Sequence, residues 1–169
     1  GNTLVGYAKE AQLHTDLSIA GDILQELANQ EFKNDIEQEM SIVAITFERF
    51  KELQLTQDVN LAEFKRAKAE LKSRLAKLNH LLNQKLYLST HIQDPDNDIF
   101  ASADYAEWKE SHQPFHWLAE FYQIIHGNGG FDVIVGNPPY VVYKPKNISY
   151  IINGYQTLNS CNLYSYVFE

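Results

Sequence analysis

The sequence predicts a predominantly helical α/β chain, with a long antiparallel helical hairpin joined to part of a Rossmann-like sheet. Three observations point there. Up to residue 93 there is no proline, and glycine occurs only at Gly1, Gly6 and Gly21, so long helices meet little punctuation. Two apolar seams with alternating steps of three and four residues run through that stretch, the spacing of a coiled-coil face. Later, Phe131-Asp132-Val133-Ile134-Val135 forms a short, β-branched run bounded by glycines, which fits a strand covered on both faces. The loop-forming residues Gln93-Asp94-Pro95-Asp96-Asn97-Asp98 separate a helical region, 1–93, from a partial α/β domain, 94–169.

In chain order, Asp16 or Ser18 is a candidate cap for a helix through Ile19, Ile23, Leu24 and Leu27. Ile36, Met40, Val43, Phe47 and Phe50 form the first seam, and Leu61, Phe64, Lys68, Leu71, Leu75, Leu78 and Leu82 the second, with Lys68 its one polar member. The polar stretch Leu55-Thr56-Gln57-Asp58-Val59-Asn60 joins them, with Asn60 placed to cap the second helix. So short a connection makes the two helices antiparallel neighbours. The second helix is basic, with Lys65, Arg66, Lys68, Lys72, Arg74 and Lys77. That run reads either as a phosphate-tracking face or as a solvated surface partly balanced by Glu63 and Glu70, the ordinary use of such charges. Residues 108–125 look helical again, broken or started near Pro114, and stopped by His126-Gly127-Asn128-Gly129-Gly130. A last helix is expected over 162–169. The strand at 131–135 belongs in the middle of a sheet. By itself it exposes pairing edges, so it is expected to pair with a local segment, with a second copy of the chain as a homo-dimer, or both.

Composition narrows the function. Of 169 residues, 44% are hydrophobic and 21% charged, a globular balance. The lone Cys161 cannot form an internal disulfide, and no apolar run approaches the roughly 20 residues that span a bilayer. With no signal-peptide pattern either, a cytoplasmic setting is expected. The net charge is -8, and it is uneven: 13 acids and 11 bases up to Gln93, then 9 acids against only Lys109, Lys144 and Lys146. The second half therefore lacks the clustered cations that neutralise many phosphates.

The apolar run leads directly into Gly136-Asn137-Pro138-Pro139-Tyr140, at the carboxyl end of the expected strand, where open α/β sheets bind ligands. Asn137 offers a side-chain carbonyl acceptor. Pro138 offers a backbone carbonyl with no competing N–H, and the two prolines, Pro138 and Pro139, fix φ near about −65°. Tyr140 supplies a flat face for base stacking. Two acceptors on one exocyclic amine hold its lone pair out of conjugation and aim it at an electrophile such as a methyl sulfonium, so alignment does most of the work.

Phe131 to Tyr140 closely resembles the catalytic motif of amino-methyltransferases. Upstream, Pro114-Phe115-His116-Trp117-Leu118-Ala119-Glu120-Phe121 resembles the helix before that motif in large adenine-specific DNA methyltransferases of the type IIG restriction–modification kind. Asn162-Leu163-Tyr164, with Phe168-Glu169, is similar to the helix after it. The resemblance covers roughly the last third of the chain. It implies S-adenosylmethionine as methyl donor, adenine N6 in double-stranded DNA as acceptor, a target base flipped from the duplex, and Asn137, Pro138, Pro139 and Tyr140 as the catalytic residues. The same tetrapeptide occurs in enzymes that methylate protein glutamine or RNA guanine, and the upstream Phe-His-Trp segment argues against both. A helical interaction or scaffold module with a vestigial loop remains the reading from a different class. The family's donor-binding turn, a glycine-rich loop after the first strand, is not found before Phe131. Gly127-Asn128-Gly129-Gly130 follows a helix and precedes the strand, the wrong context. The chain is therefore expected to be a fragment that binds the donor weakly or not at all, with its phosphate grip supplied by a larger protein.

Other patterns carry less. Pro95-Asp96 with Glu107-Trp108-Lys109 spells a degenerate nuclease motif, but Glu107 falls on or near a helix. His112 and His116 have metal-pair spacing with Pro114 between them and no third ligand nearby, which favours a structural role. Asp94, Asp96 and Asp98 lack the glycine and closing glutamate of a calcium loop. Tyr143, Tyr150, Tyr155, Tyr164 and Tyr166 read either as base-stacking residues or as core or interface packing, the commoner use.

Overall fold

The structure, a computed structural model, describes residues 2–18, 23–56, 60–89, 91, 99–144, 150 and 156–167. It is predominantly helical: α1 (Glu10–Leu17), α2 (Ile23–Leu55), α3 (Leu61–Leu88), α4 (Ala103–His112), α5 (Trp117–Glu120) and α6 (Leu163–Val167). No helix among the described residues is long and apolar enough to cross a membrane.

α1 starts where the Gln12 side chain reaches back to accept the N–H groups of Ala8, at 2.9 Å, and Lys9, at 3.1 Å. These are donors that a helix start otherwise leaves unpaired. The expected cap at Asp16 or Ser18 is not found. Asp16 lies inside α1, and Ser18 closes its C-terminal end by donating its N–H to Thr15 O at 3.1 Å. A helix end, not a start, falls here because Gln12 moves the start upstream. The helix following Ser18 begins at Ile23, and the apolar positions expected after that cap (Ile19, Ile23, Leu24 and Leu27) have side chains outside the described ones.

α2 and α3 pack along the two seams. The Phe50 and Phe64 rings meet at 5.2 Å near the connection, and Arg49 lies 3.7 Å from Glu63. Further along, Glu39 faces Arg74 and Lys77. Asn60 caps α3 by accepting the Ala62 N–H at 2.9 Å. The seam itself needs two corrections. Leu61, its expected first member, is 65% exposed at the start of α3. Lys68 is exposed, and Ala67 is buried in its place, ahead of Leu71, Leu78 and Leu82. Stepping to Ala67 keeps a charge in water and puts a small side chain at the helix contact. On the facing side Ile36 and Val43 are buried, together with Glu39 and Thr46.

The main core unites Tyr7, Leu13, Ile36, Val43, Leu78, Leu82, Leu118 and Ala119, so α5 is fastened to α1, α2 and α3. The N-terminal segment threads alongside α5's entry. Asn2 N–H donates to Gln113 O at 2.6 Å, Phe115 N–H to Val5 O at 2.7 Å, and Leu118 N–H to Tyr7 O at 3.3 Å, with a parallel bridge between Asn2 and Pro114. The approach is close enough that Gly6, at φ +141°, has Phe115 O only 2.3 Å from where a Cβ would stand. Only glycine combines that dihedral with that space.

α4 is capped by Ser102, whose hydroxyl accepts the Tyr105 N–H at 3.2 Å, and it ends at Gln113 in the left-handed conformation, φ 44°. The helical stretch expected around Pro114 is thus broken there. It resumes only as α5, and then as a π-helical turn over Gln123–Gly127. Tyr87, Tyr105 and Trp108 form a second buried cluster, in which the Tyr87 ring meets the other two edge-on at 5.1 and 5.2 Å.

The expected strand at 131–135 does not form. Among the described residues the run joins no ladder, and Val133, Ile134 and Val135 are 74, 68 and 92% exposed. A β-branched run takes strand geometry only when a neighbour satisfies its N–H and C=O groups, and no described segment lies alongside it. The only bridges among the described residues are Asn2 with Pro114 and Val142 with Asn162.

Candidate active site

The segment holding Asn137, Pro138, Pro139 and Tyr140 is anchored at both ends and open between them. At the front, the Phe131 ring meets Phe121 at 5.0 Å and Trp117 at 6.0 Å, edge-on in both cases. Those partners sit at α5 and the residue closing it, so the core-fastened helix fixes where the run begins. Trp117 is itself tied to the N-terminal segment, its indole N–H donating to Thr3 O at 3.2 Å.

At the back, the chain pairs with the approach to α6. Tyr143 N–H donates to Cys161 O at 2.7 Å and Leu163 N–H to Val141 O at 3.0 Å, around the antiparallel bridge between Val142 and Asn162. Cys161 makes the turn at φ 54°, and the Asn162 amide donates to Ser160 O at 2.9 Å. α6 buries Leu163 and Tyr166 against Leu4, Tyr143 and Tyr150. Local pairing is therefore present, but downstream of the motif, not along the 131–135 run.

Between these anchors Asn137, Pro139 and Tyr140 are exposed and Pro138 is half-buried. Tyr140 is 80% exposed, and its ring lies 6.2 Å from Tyr164 at 38°. Of the aromatic group expected to pack internally, Tyr143, Tyr150 and Tyr166 do so, Tyr155 lies outside the described residues, and Tyr164 turns toward the motif. Nothing local in the sequence singles out Tyr164. Its place beside Tyr140 comes from the pairing of 141–143 with 161–163.

The described residues offer no cradle for S-adenosylmethionine. Gly129 (φ +77°) and Gly130 (φ +130°) follow the π-helical turn, and a Cβ on either would meet nothing within 4 Å. A phosphate or ribose cradle instead brings backbone close around its ligand. Clefts of about 440 Å³, along Ala44, Ile45, Glu48, Arg49 and Glu52, and of about 270 Å³, between α1 and α2 beside Leu13 and Ile36, do not border the motif.

The remaining candidates have structural uses. His116 is 1% exposed. Its Nδ1 accepts the Tyr7 N–H at 3.1 Å and its Nε2 donates to Asn83 Oδ1 at 3.0 Å. Burial lowers its pKa to about 3, so the ring stays neutral. His112 lies at the end of α4, with Nδ1 near Trp108 O at 3.1 Å, and burial lowers its pKa too. Among the described residues no three His, Cys, Asp or Glu converge on a metal position. Glu107 and Lys109 lie on α4, which does not present them as the adjacent strands of a nuclease would, while Pro95, Asp94, Asp96 and Asp98 are outside the described residues.

Two buried polar groupings carry no signal that sequence reading could have used. Glu39, 1% exposed, lies 3.5 Å from Arg74 and 2.7 Å from Lys77. The Tyr7 hydroxyl donates to Asp16 at 2.8 Å, and burial first, then that carboxylate, raises its pKa strongly. Both stand away from the motif and bind core elements together.

The family model described as Eco57I restriction-modification methylase matches residues 7–169. No curated protein and no solved structure matches the chain.

Proposed function

The chain belongs to the Eco57I restriction-modification methylase family, and on that premise we propose that it carries the catalytic loop of a DNA methyltransferase acting on adenine N6. The observation carrying this reading is the Asn137-Pro138-Pro139-Tyr140 segment, exposed between two fixed anchors. An exposed amide carbonyl and a proline carbonyl in a stiff loop can accept both hydrogens of one amine. A base extruded from the duplex would stack on Tyr140, with Tyr164 beside it. Held so, the nitrogen keeps its lone pair out of conjugation; a sulfonium donor would supply the methyl group and leave as its thioether, and water would take the surplus proton.

S-adenosylmethionine is the donor this reading calls for. The described residues form no site that fits it, and the support lies in the acceptor-binding loop. A scaffold role with a vestigial loop draws its support from that same missing cradle.

The architecture follows the same reading. Residue numbers rise along α2 as they fall along α3, from Arg49–Glu63 and Phe50–Phe64 to Glu39–Arg74, which supports an antiparallel hairpin. The mostly apolar, exposed run at 131–135 supports a strand of a Rossmann-like sheet that pairs with another segment or a second copy of the chain.

The test is methyl transfer from labelled S-adenosylmethionine by the whole protein to duplex DNA, with digestion to nucleosides. N6-methyldeoxyadenosine, lost with Asn137→Ala, is the expected result. Label in protein glutamine or RNA guanine, or full activity in Asn137→Ala, overturns the proposal.

A further inference from the structure

We propose that the outward face of the N-terminal half of α3 grips the phosphate backbone of duplex DNA through Lys65, Arg66, Lys68 and Lys72. This rests on the DNA methyltransferase reading above and adds a second surface to it.

The structure sorts the six cations of this stretch into two groups. Arg74 and Lys77 turn toward α2 and hold the buried Glu39. Lys65, Arg66, Lys68 and Lys72 are all exposed, and among the described residues none of them is in an ion pair. The acids that seemed in sequence to offset them stand away from the three lysines and fall on the Arg66 side. At about 100° per residue, Lys68 and Lys72 fall within about 60° of Lys65, and Arg66 about 100° to its other side. Glu63 and Glu70 lie about 140–160° from Lys65 and about 40–60° from Arg66, and Glu63 faces Arg49 across the helix contact at 3.7 Å. Ala69 stands between the cations and Ser73 just past them, both small and exposed, which lets a nucleic-acid backbone come close. The buried Ala67, Leu71 and Leu78 hold the opposite side of α3 against α2. Partners other than α2 reach α3 further along, at Asn79, bonded to Glu120, and at Asn83, bonded to His116.

Charge and length both favour DNA. With a net charge of -8 the chain as a whole repels a polyanion, so attraction must be local, and the exposed lysine side of α3 is where it is local. From Lys65 to Lys72 the helix rises about 10 Å at about 1.5 Å per residue. That spans about three phosphates of one strand at about 3.4 Å each.

The test titrates a labelled duplex with the full chain between about 50 and 200 mM salt. It is repeated with Lys65→Gln/Arg66→Gln/Lys68→Gln/Lys72→Gln and with a charge-matched control, Lys9→Gln/Lys33→Gln/Lys51→Gln/Lys109→Gln, all checked for unchanged helicity by circular dichroism. The expected result is a slope of log affinity against log salt shallower by about three in the α3 variant, at roughly 0.9 per phosphate released, with little change in the control. Equal loss in both variants, an unchanged slope in the α3 variant, or no measurable duplex binding by the unaltered chain at the lowest salt overturns the proposal. Binding to phosphatidylserine vesicles without binding to DNA also overturns it, in favour of a membrane partner. The two readings fail separately. An unchanged slope with an inactive Asn137→Ala removes only the α3 face, and normal methylation by Asn137→Ala with a reduced slope removes only the catalytic loop.

Discussion

The Lys77 ammonium stands 2.7 Å from the Glu39 carboxylate, joining a side chain 58% exposed on α3 to one 1% exposed on α2. Arg74 approaches the other oxygen at 3.5 Å. Neither oxygen accepts a well-aligned hydrogen bond, so the buried charge is neutralised by proximity alone. The two sides are unequal, because the cations can return to water and the carboxylate cannot. Replacing both cations, Arg74→Met with Lys77→Met, is expected to destabilise the chain by about 3–5 kcal/mol. Glu39→Gln should cost less, about 1–2 kcal/mol. Urea denaturation of the two variants checks the order, and a larger loss for Glu39→Gln contradicts it.

His116 makes stability depend on pH. Its folded pKa is about 3, against about 6.5 when unfolded. Between those values the unfolded chain binds the extra proton, so stability is full above about pH 6.5 and falls as the pH drops toward 3. The slope is at most about 1.4 kcal/mol per pH unit from this group. His116→Asn, unable to take up a proton, should flatten the stability profile between pH 6.5 and 4.5 relative to the unaltered chain. Parallel profiles would assign the acid sensitivity to carboxylates instead.

Gly6 sets how the N-terminal segment lies against α5's entry. Gly6→Ala forces a side chain toward Phe115 O at a φ of +141°, with backbone strain alone of roughly 1–3 kcal/mol. A lowered Tm and faster proteolysis near residue 6 are expected. Unchanged values would mean that the segment does not hold this path.

For the catalytic loop, Asn137→Ala should reduce methylation at least about a hundredfold by removing one of two acceptors, a loss of the size seen when one positioned polar group is removed from a reacting centre. Stability should be untouched, since Asn137 is exposed. Tyr140→Phe keeps the stacking face and should retain most activity, whereas Tyr140→Ala should raise KM for DNA, by about 1–3 kcal/mol of lost stacking. Steady-state kinetics with duplex substrate separates these outcomes.

Several features were readable in the residues themselves. Asn60 was legible as a cap because its carbonyl has only to reach two residues on. The break at Pro114 was legible because proline lacks the N–H that a helix needs. The seams were legible as periodicity, except at Leu61, which the helix start leaves exposed, and at Lys68, where spacing alone proposed a burial that desolvation forbids and Ala67 took the place. Asp16 and Ser18 have the residue types of caps, yet they sit at a helix end, because Gln12 had already supplied the start. The motif at 137–140 is contiguous, so its residues could be named from order alone. Tyr164 could not, since it reaches Tyr140 only through bonds between 141–143 and 161–163.

By itself the sequence determined where the two long helices run, how the second begins, and where the Asn-Pro-Pro-Tyr segment stands in the chain, because each depends on atoms a few residues apart. The tertiary structure decided which charges serve the core and which face water, that Gly6 must lie against Phe115, and that the β-branched run at 131–135 stays unpaired among the described residues. Those outcomes depend on partners tens of residues away, whose approach fixes burial and completes or withholds a hydrogen-bond ladder.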